Sequence, residues 1–251
     1  MKLNIEKSVV VITPTIGSPK LLDAFESVEK QTYGNIKHLI VVDGPDYYKK
    51  VLDTLGLFGL NRKQQLSVAP ENTGANGFYG HRIYAAYAHL VNADYVFFLD
   101  EDNWYKPDHV KTLVETIEEQ QLDFAYSLRS IYTTDKQFII DDNCESLGKY
   151  PIWFTNDSTR KDKYLVDTSC FGFRREFLIQ VSQLWHSGWG GDRRFFHAIQ
   201  NHTKHNLTGY HTLCYRLDGN DGSVTKEFFE EGNAAQLAYY GSEGKFPWLK
   251  V

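Results

Sequence analysis

Cysteine is scarce in this 251-residue chain, and long apolar runs are absent from it. The three cysteines, Cys144, Cys170 and Cys214, are odd in number and lack a paired spacing such as C-x-x-C. They argue against a disulfide framework and indicate a reducing compartment. The apolar run after the polar residues 1–7 is far too short for a secretory signal or a membrane span. We therefore expect a cytoplasmic protein without an integral membrane segment.

Basic blocks and glycine-rich phosphate loops are missing as well. The 27 Lys and Arg residues are outnumbered by 32 Asp and Glu residues, which gives a net charge of −5 and makes a nucleic-acid partner unexpected. Gly74, Gly77 and Gly80 form neither a P-loop nor a G-x-G-x-x-G fingerprint. The absence of such a loop after the first strand argues against a nucleotidyltransferase, which we keep as an alternative.

The first half of the chain alternates strand-like and helix-like segments. Four short apolar runs have the character of buried parallel strands, and helical patterns separate them. This alternation predicts an α/β fold with a mostly parallel, Rossmann-like sheet, right-handed crossovers and helices on both faces. The strands are expected at residues 9–12, 38–42, 66–69 and 95–99, and the helices after Ser18-Pro19, over 78–91 and from Pro107.

The second half is less regular, and we expect it to form a smaller mixed region. Residues 124–140 predict two strands around a turn at 133–135, and residues 210–217 predict another strand. Helical patterns occupy 171–184, 191–201 and 226–239. We expect one domain over residues 1–251, in which 1–105 bind a nucleotide and 106–251 complete the substrate pocket.

Three acidic residues follow the fourth predicted strand directly: Asp100, Glu101 and Asp102. Ligands of open α/β sheets bind beyond the carboxyl ends of the strands. In an extended chain Asp100 and Asp102 would project to one side, roughly 7 Å apart. One could then hold Mg²⁺ or Mn²⁺ and the other could accept hydrogen bonds from ribose hydroxyls. The alternatives are a solvated acidic turn before a helix, and an aspartyl-phosphate phosphatase, although those enzymes carry the motif after the first strand.

Several segments together resemble the inverting family 2 glycosyltransferases of GT-A fold. Their order and spacing are more specific than any single motif, and the segment at 191–196 is similar to the form found in spore-coat-type members. The segments are 10–15 (VVITPT), 31–33 (QTY), 40–44 (IVVDG), 71–74 (ENTG), 80–82 (GHR), 98–104 (FLDEDNW), 107–108 (PD) and 191–196 (GDRRFF).

The resemblance implies a role for eight residues. These are Pro14 and Thr15 for the wall of the nucleotide pocket, Asp43 for the base with a preference for uracil, Arg82 for the base or diphosphate, Asp100 and Glu101 for the ribose, Asp102 with Asp100 for the cation, and Asp192 for the general base. Three alternatives stay open: Asp43 as a turn carboxylate, Arg82 as a solvated helix residue, and Asp192 as a helix N-cap.

The resemblance thus implies a hexosyltransferase that needs Mn²⁺ or Mg²⁺. It would move a sugar with inversion from a nucleotide-diphosphate donor, preferably a UDP-sugar, to a hydroxyl acceptor that is a saccharide or a small molecule. The alternative to an enzyme is a catalytically silent module that binds nucleotide sugars or glycans. The presence of Asp192 in the expected context favours the enzyme.

Three further features near these motifs allow more than one interpretation. Tyr215-Arg216 occupies the place where family members often carry a histidine, so this place offers no histidine as a third ligand for the cation, and Arg216 could contact the diphosphate instead. Trp185 and Trp189 flank Asp192 and could stack on a sugar ring or pack in the core. Residues 218–223 could form a lid over the donor or an ordinary surface loop.

Overall fold

The computed structural model describes residues 6–56, 60, 62–150, 164–217 and 224–250. These parts of the chain contain nine strands and seven α-helices. The strands are β1 (Val9–Thr15), β2 (Ile36–Val42), β3 (Gln64–Val68), β4 (Tyr95–Phe98), β5 (Trp104–Tyr105), β6 (Phe124–Tyr132), β7 (Phe138–Asp141), β8 (Phe171–Arg174) and β9 (His205–Arg216). The helices are α1 (Leu21–Glu29), α2 (Tyr48–Leu55), α3 (His81–Leu90), α4 (His109–Gln120), α5 (Arg175–Val181), α6 (Gly191–Ile199) and α7 (Lys226–Tyr240).

The first four strands form the parallel part of one sheet, in the order β3-β2-β1-β4. Alternate residues of β2 enter two separate hydrophobic clusters: Leu39 and Val41 join the main core, whereas Ile40 and Val42 pack with α1 and α2. Because a strand points successive side chains to opposite faces, both faces of this part are covered. The predicted mostly parallel α/β fold is therefore confirmed.

The remaining strands continue the same sheet with mixed directions. β8 runs antiparallel between β4 and β6, and β9 lies parallel to β6 on its other side. The short β5 and β7 are antiparallel to β9 and β6 respectively. The division into a nucleotide half and a second half stays a prediction, although the change from parallel to mixed pairing falls at β4.

The prediction of a helix over 171–184 is wrong for its first turn. Phe171–Arg174 is the strand β8, and the helix α5 begins only at Arg175. Phe171 and Phe173 are fully buried on one face of the sheet, and a Cβ added to Gly172 would lie 2.7 Å from the ring of Phe97. The central place between β4 and β6 therefore overrides the helical spacing of the apolar residues.

In the described part of the chain no helix is both long enough and apolar enough to cross a membrane. The abundance of aromatic residues is explained largely by the core, in which Trp185 is fully buried and stacks on Phe195 with 4.2 Å between ring centroids. Of the two possibilities for Trp185, core packing is the one observed.

Candidate active site

A cleft of about 1000 Å³ opens beyond the carboxyl ends of β1, β2 and β4. The sheet positions its floor, and loops from the first and second halves of the chain form its walls. Of the eight residues to which a role was assigned, the cleft brings together Pro14, Thr15, Asp43, Asp100, Glu101, Asp102 and Asp192. Arg82 is not part of this lining.

The three acids after β4 lie in a tight turn and not in extended chain. The strand ends at Phe98, and the backbone N–H of Asn103 donates to the carbonyl oxygen of Asp100 over 3.2 Å. The buried side chain of Asn103 in turn accepts the backbone N–H of Arg216. The expectation that Asp100 and Asp102 lie in an extended segment is therefore wrong, and the spacing argument that placed both side chains on one side of it does not apply.

Asp100 is fixed by two hydroxyl groups. Tyr84 Oη donates to its Oδ1 over 2.8 Å, and Ser169 Oγ lies 3.2 Å from its Oδ2. Burial raises the pKa of Asp100 to about 8, and the negative charges of Asp102 and Asp167 act in the same direction. The carboxyl of Asp100 is thus held by the protein at the inner end of the cleft.

Glu101 joins the acidic turn to the loop after β1. Its carboxylate accepts hydrogen bonds from Thr15 Oγ1 and from the backbone N–H of Ser18, the latter over 3.1 Å. Thr15 Oγ1 also accepts the N–H of Gly17 over 2.9 Å. Thr15 and Glu101 therefore shape the same wall of the cleft, and a contact of Glu101 with ribose stays a prediction.

Asp43 directly follows β2 and holds the loop of residues 71–80 in place. Its Oδ1 accepts the backbone N–H and the hydroxyl of Thr73, both over 2.7 Å, and its Oδ2 accepts the N–H of Gly74 over 2.9 Å. A Cβ on Gly74 would lie 2.6 Å from Oδ2, so glycine is required for this approach. The arrangement is that of a turn carboxylate, and the lining position of Asp43 also leaves its contact with a base open as a prediction.

Arg82 stabilises the loop of residues 71–80 through contacts with Phe78 and Thr73. Its guanidinium carbon lies 3.4 Å from the ring centroid of Phe78, and Nη1 donates to the carbonyl oxygen of Thr73 over 3.4 Å. The side chain is partly buried, unlike a solvated helix residue. A contact of Arg82 with base or diphosphate stays a prediction.

Asp192 lies in the first turn of α6 and faces the cleft. Gly190, in the left-handed region with φ 69°, occupies the N-cap position, so Asp192 is not the capping residue. Its Oδ1 accepts the backbone N–H of Arg193 over 2.7 Å. The pKa of Asp192 is raised to about 7. Burial is the largest cause and the charges of Asp167 and Glu145 act in the same direction, while the Arg193 N–H and Arg129 oppose them.

A buried arginine that the sequence did not reveal forms the floor of the cleft. Arg129 in β6 donates through Nε to Asp142 over 2.8 Å, through Nη1 to Asp167 over 2.7 Å and through Nη2 to Glu145. Burying such charges is tolerated only when they are paired and hydrogen-bonded. Glu145 also lies 3.5 Å from Nη2 of Arg193, so this network extends to the helix that carries Asp192.

Arg216 anchors the acidic turn. Its Nε donates to the carbonyl oxygen of Asp102 over 3.0 Å, Nη1 donates to that of Thr134 over 2.9 Å, and Nη2 pairs with Asp23. These contacts occupy three of its nitrogen atoms and fix the backbone beneath Asp102. Arg216 also lines the cleft, so its contact with a diphosphate stays a prediction.

The residues at the acidic turn fit a hard cation. Within the described ranges no group of three or more His, Cys, Asp and Glu side chains is arranged to hold a metal ion. Mg²⁺ and Mn²⁺ do not require one, because substrate phosphates and water complete a shell that one or two carboxylates begin. Asp102, partly exposed to the cleft, is the residue of this turn that suits the role, with Asp100 behind it. The possible lid at 218–223 lies outside the described residues.

The chain matches the family model described as glycosyl transferase family 2 over residues 8–182. This match covers more than half of the sequence, and the chain therefore belongs to that family. It includes the acidic turn and most of the cleft wall, and it ends before Asp192. The curated proteins contain no match to the sequence.

Solved structures support the same fold. Residues 1–349 of S. aureus TarS are similar with a TM-score of 0.59 and 14% identity, over 83% of this chain and 60% of that one. The TarS complex with UDP gives 0.59 and 15%, over 84% and 60%. The complex with UDP-GlcNAc gives 0.61 and 13%, over 94% and 67%. This chain thus spans about three fifths of the first TarS structures that it matches, and identities this low establish the fold alone.

Proposed function

We propose that this family 2 glycosyltransferase moves a sugar from a UDP-sugar to a hydroxyl acceptor, with inversion and with the help of Mn²⁺ or Mg²⁺. The observation that carries the proposal is that one cleft contains the acidic turn around Asp102 and, on a separate helix, Asp192. The complexes of TarS with UDP and UDP-GlcNAc support a uridine donor by analogy of fold. The similarity of residues 191–196 to spore-coat-type members remains a prediction.

The chemistry divides between the acidic turn and the helix α6. A bound Mn²⁺ or Mg²⁺ would neutralise the charge that develops on the departing diphosphate. From the helix α6, Asp192 accepts the proton of the acceptor hydroxyl while the oxygen of that hydroxyl attacks the anomeric carbon. The new glycosidic bond forms as the bond from that carbon to the diphosphate oxygen breaks, and this single displacement inverts the anomeric centre.

A screen of nucleotide sugars tests the proposal. The purified chain is incubated with UDP-, GDP- and dTDP-sugars, with Mn²⁺, with Mg²⁺ or with EDTA, and the released products are separated. Release of the nucleoside diphosphate supports a glycosyltransferase, whereas release of pyrophosphate indicates a nucleotidyltransferase. Binding of a nucleotide sugar without release indicates the catalytically silent module.

Substitution of Asp43 should weaken UDP binding and remove the preference for uracil. An imide N–H of uracil can donate to the carboxylate, and a hydrogen bond to a charged group contributes about 1.5–3 kcal/mol, so Asp43→Ala should cost UDP about tenfold or more in affinity. Calorimetry with UDP and CDP measures the effect.

The ratio of the two affinities separates base recognition from loosening of the loop. Thr73→Val removes one donor to Asp43 and leaves the carboxylate in place, so it serves as the matched control. Loss of loop support alone would weaken UDP and CDP equally. An unchanged UDP-to-CDP ratio in Asp43→Ala would exclude Asp43 as the residue that recognises the base.

Removal of the Asp167 charge should move the acidic limb of the pH–rate profile to lower pH. Asp167 raises the pKa of Asp192, although burial is the larger cause, and an asparagine can still accept the N–H of Ser169 that Asp167 binds now. In Asp167→Asn the base should therefore ionise at lower pH. The pH profile of kcat/KM for wild type and variant measures this shift. An acidic limb that stays in place or moves to higher pH would contradict the assignment of Asp192 as a base whose pKa is raised by Asp167.

A further inference from the structure

Two exposed aromatic side chains lie at the mouth of the cleft. Trp189 is 75% exposed and Tyr79 is 56% exposed, and both line the cleft. Trp185, only four residues before Trp189, is by contrast fully buried. An indole left in water forgoes the free energy of burial, so packing does not explain the position of Trp189.

The backbone beneath Trp189 is rigidly supported. Arg194 donates to Ser187 Oγ over 2.8 Å, to the carbonyl oxygen of Gly188 over 3.0 Å and to that of Trp189 over 2.8 Å. Gly188 also approaches the carbonyl of Gly77 so closely that a Cβ there would lie 2.8 Å from the oxygen. The loop that carries the indole is therefore fixed against the loop that carries Tyr79.

Tyr79 adopts a backbone conformation that bulky residues avoid. Its φ is 52°, in the left-handed region, and its N–H and that of Phe78 both donate to the carbonyl oxygen of Gly74 over 3.1 Å. A Cβ on Gly74 would lie 2.5 Å from the carbonyl oxygen of Tyr79, so the loop closes tightly on itself. Strain of this kind persists where surrounding contacts impose it, and it concentrates at sites that bind ligands.

The chemistry of the mouth suits a sugar ring. Trp189 precedes Asp192 by three residues, and Arg193 and Arg194 line the cleft beside it. A pyranose presents an apolar C–H face that packs on an aromatic ring and hydroxyls that bind charged groups at its edge. A small alcohol has no such face, and an alkyl chain would gain nothing from the flanking arginines.

We propose that Trp189 and Tyr79 form an aromatic subsite that holds a sugar ring of the acceptor next to Asp192. This inference rests on the proposed function and narrows the acceptor from any hydroxyl compound to a saccharide. In it Trp189 and Tyr79 are binding residues, and neither takes part in the proton transfer.

Saturation-transfer NMR tests the subsite in the intact chain with UDP and Mg²⁺ present. The probes are the methyl glycopyranosides of glucose, galactose, mannose and N-acetylglucosamine, with glycerol as a polyol that lacks a ring. At least one glycopyranoside should bind the wild type, and Trp189→Ala and Tyr79→Ala should each weaken it by about tenfold or more. Trp189→Phe should retain most of the affinity.

Two controls show whether the loss is local. Tyr239→Ala removes an aromatic side chain of similar exposure, 65%, on α7, outside the described lining of the cleft, and should leave saccharide binding unchanged. UDP affinity, measured by calorimetry, should stay within about twofold in every variant. A parallel loss of UDP affinity would mean that the rings stack on the nucleotide and would overturn the proposal.

Three further results would also overturn it: no glycopyranoside binds the wild type, glycerol binds as tightly as the ring sugars, or Trp189→Ala binds them unchanged. Failure of the proposed function would give results that differ from failure of the aromatic subsite. If saccharide binding depends on Trp189 but no nucleotide sugar releases its diphosphate, the aromatic subsite is supported and the transferase activity is contradicted. If diphosphate is released but saccharide binding is unchanged in Trp189→Ala, the transferase activity is supported and the aromatic subsite is contradicted.

Discussion

Excess EDTA should abolish sugar transfer, and added Mn²⁺ or Mg²⁺ should restore it. In the proposed reaction the departing diphosphate would accumulate negative charge beside a turn that already contains Asp100, Glu101 and Asp102. A cation held there would stabilise the transition state by several kcal/mol, so its removal should lower the rate by about a thousandfold. Release of UDP, followed with EDTA and after readdition of each metal, measures the effect.

Asp102→Ala should reproduce the effect of the chelator in the presence of metal. The variant should keep its fold, because the contact that Arg216 makes in this turn is with the backbone oxygen of Asp102. Thermal unfolding checks that point, and electron paramagnetic resonance of Mn²⁺ in the presence of UDP should show weaker metal binding. Full activity of the wild type in excess chelator would show that no cation takes part.

The parallel half of the fold was predictable because its strands are buried on both faces. Such strands appear in the sequence as short continuous apolar runs ended by turn formers, and β1, β2 and β4 each have this form. The strand β8 was not predictable in the same way. Its alternating Phe171 and Phe173 precede a true helix without a break, and only the place between β4 and β6 decides its conformation.

The candidate site was predictable where a motif lies in one segment. The acidic turn and Asp192 each follow from local sequence, and the cleft contains both. The resemblance could not predict which groups of the protein form hydrogen bonds with the carboxylates of Asp43 and Asp100. Thr73 and Gly74 bind Asp43, and Tyr84 and Ser169 bind Asp100, through contacts between residues 16 to 69 positions apart.

The network around Arg129 had no local signal. Arg129 lies within an otherwise mostly apolar strand, and its partners follow 13, 16 and 38 residues later. A buried arginine requires carboxylates near it, but the sequence offers many acids and does not specify which of them the fold brings there. The electrostatic setting of Asp192 therefore became visible only with the structure.

Replacement of Asp192 by asparagine should lower turnover by about 10²–10⁴-fold while donor binding stays nearly normal. Asparagine keeps the volume and can accept the Arg193 N–H, but it cannot accept a proton. Turnover with a saturating UDP-sugar and calorimetry with UDP measure the two quantities. Wild-type turnover in the variant would mean that the base lies elsewhere.

The pH dependence and the stereochemistry test the same assignment independently. Because the folded pKa of Asp192 is about 7, the ionised base is lost as the pH falls through that value, and wild-type kcat/KM should decline below it. The same raised pKa means that ionisation of Asp192 opposes folding at higher pH, so Asp192→Asn should have a higher Tm than the wild type at about pH 8. The pH–rate profile of the residual activity of Asp192→Asn should lack the acidic limb.

The wild-type product, analysed by NMR, should have the anomeric configuration opposite to that of the donor. Retention of the donor configuration would rule out a single displacement even if Asp192 is essential.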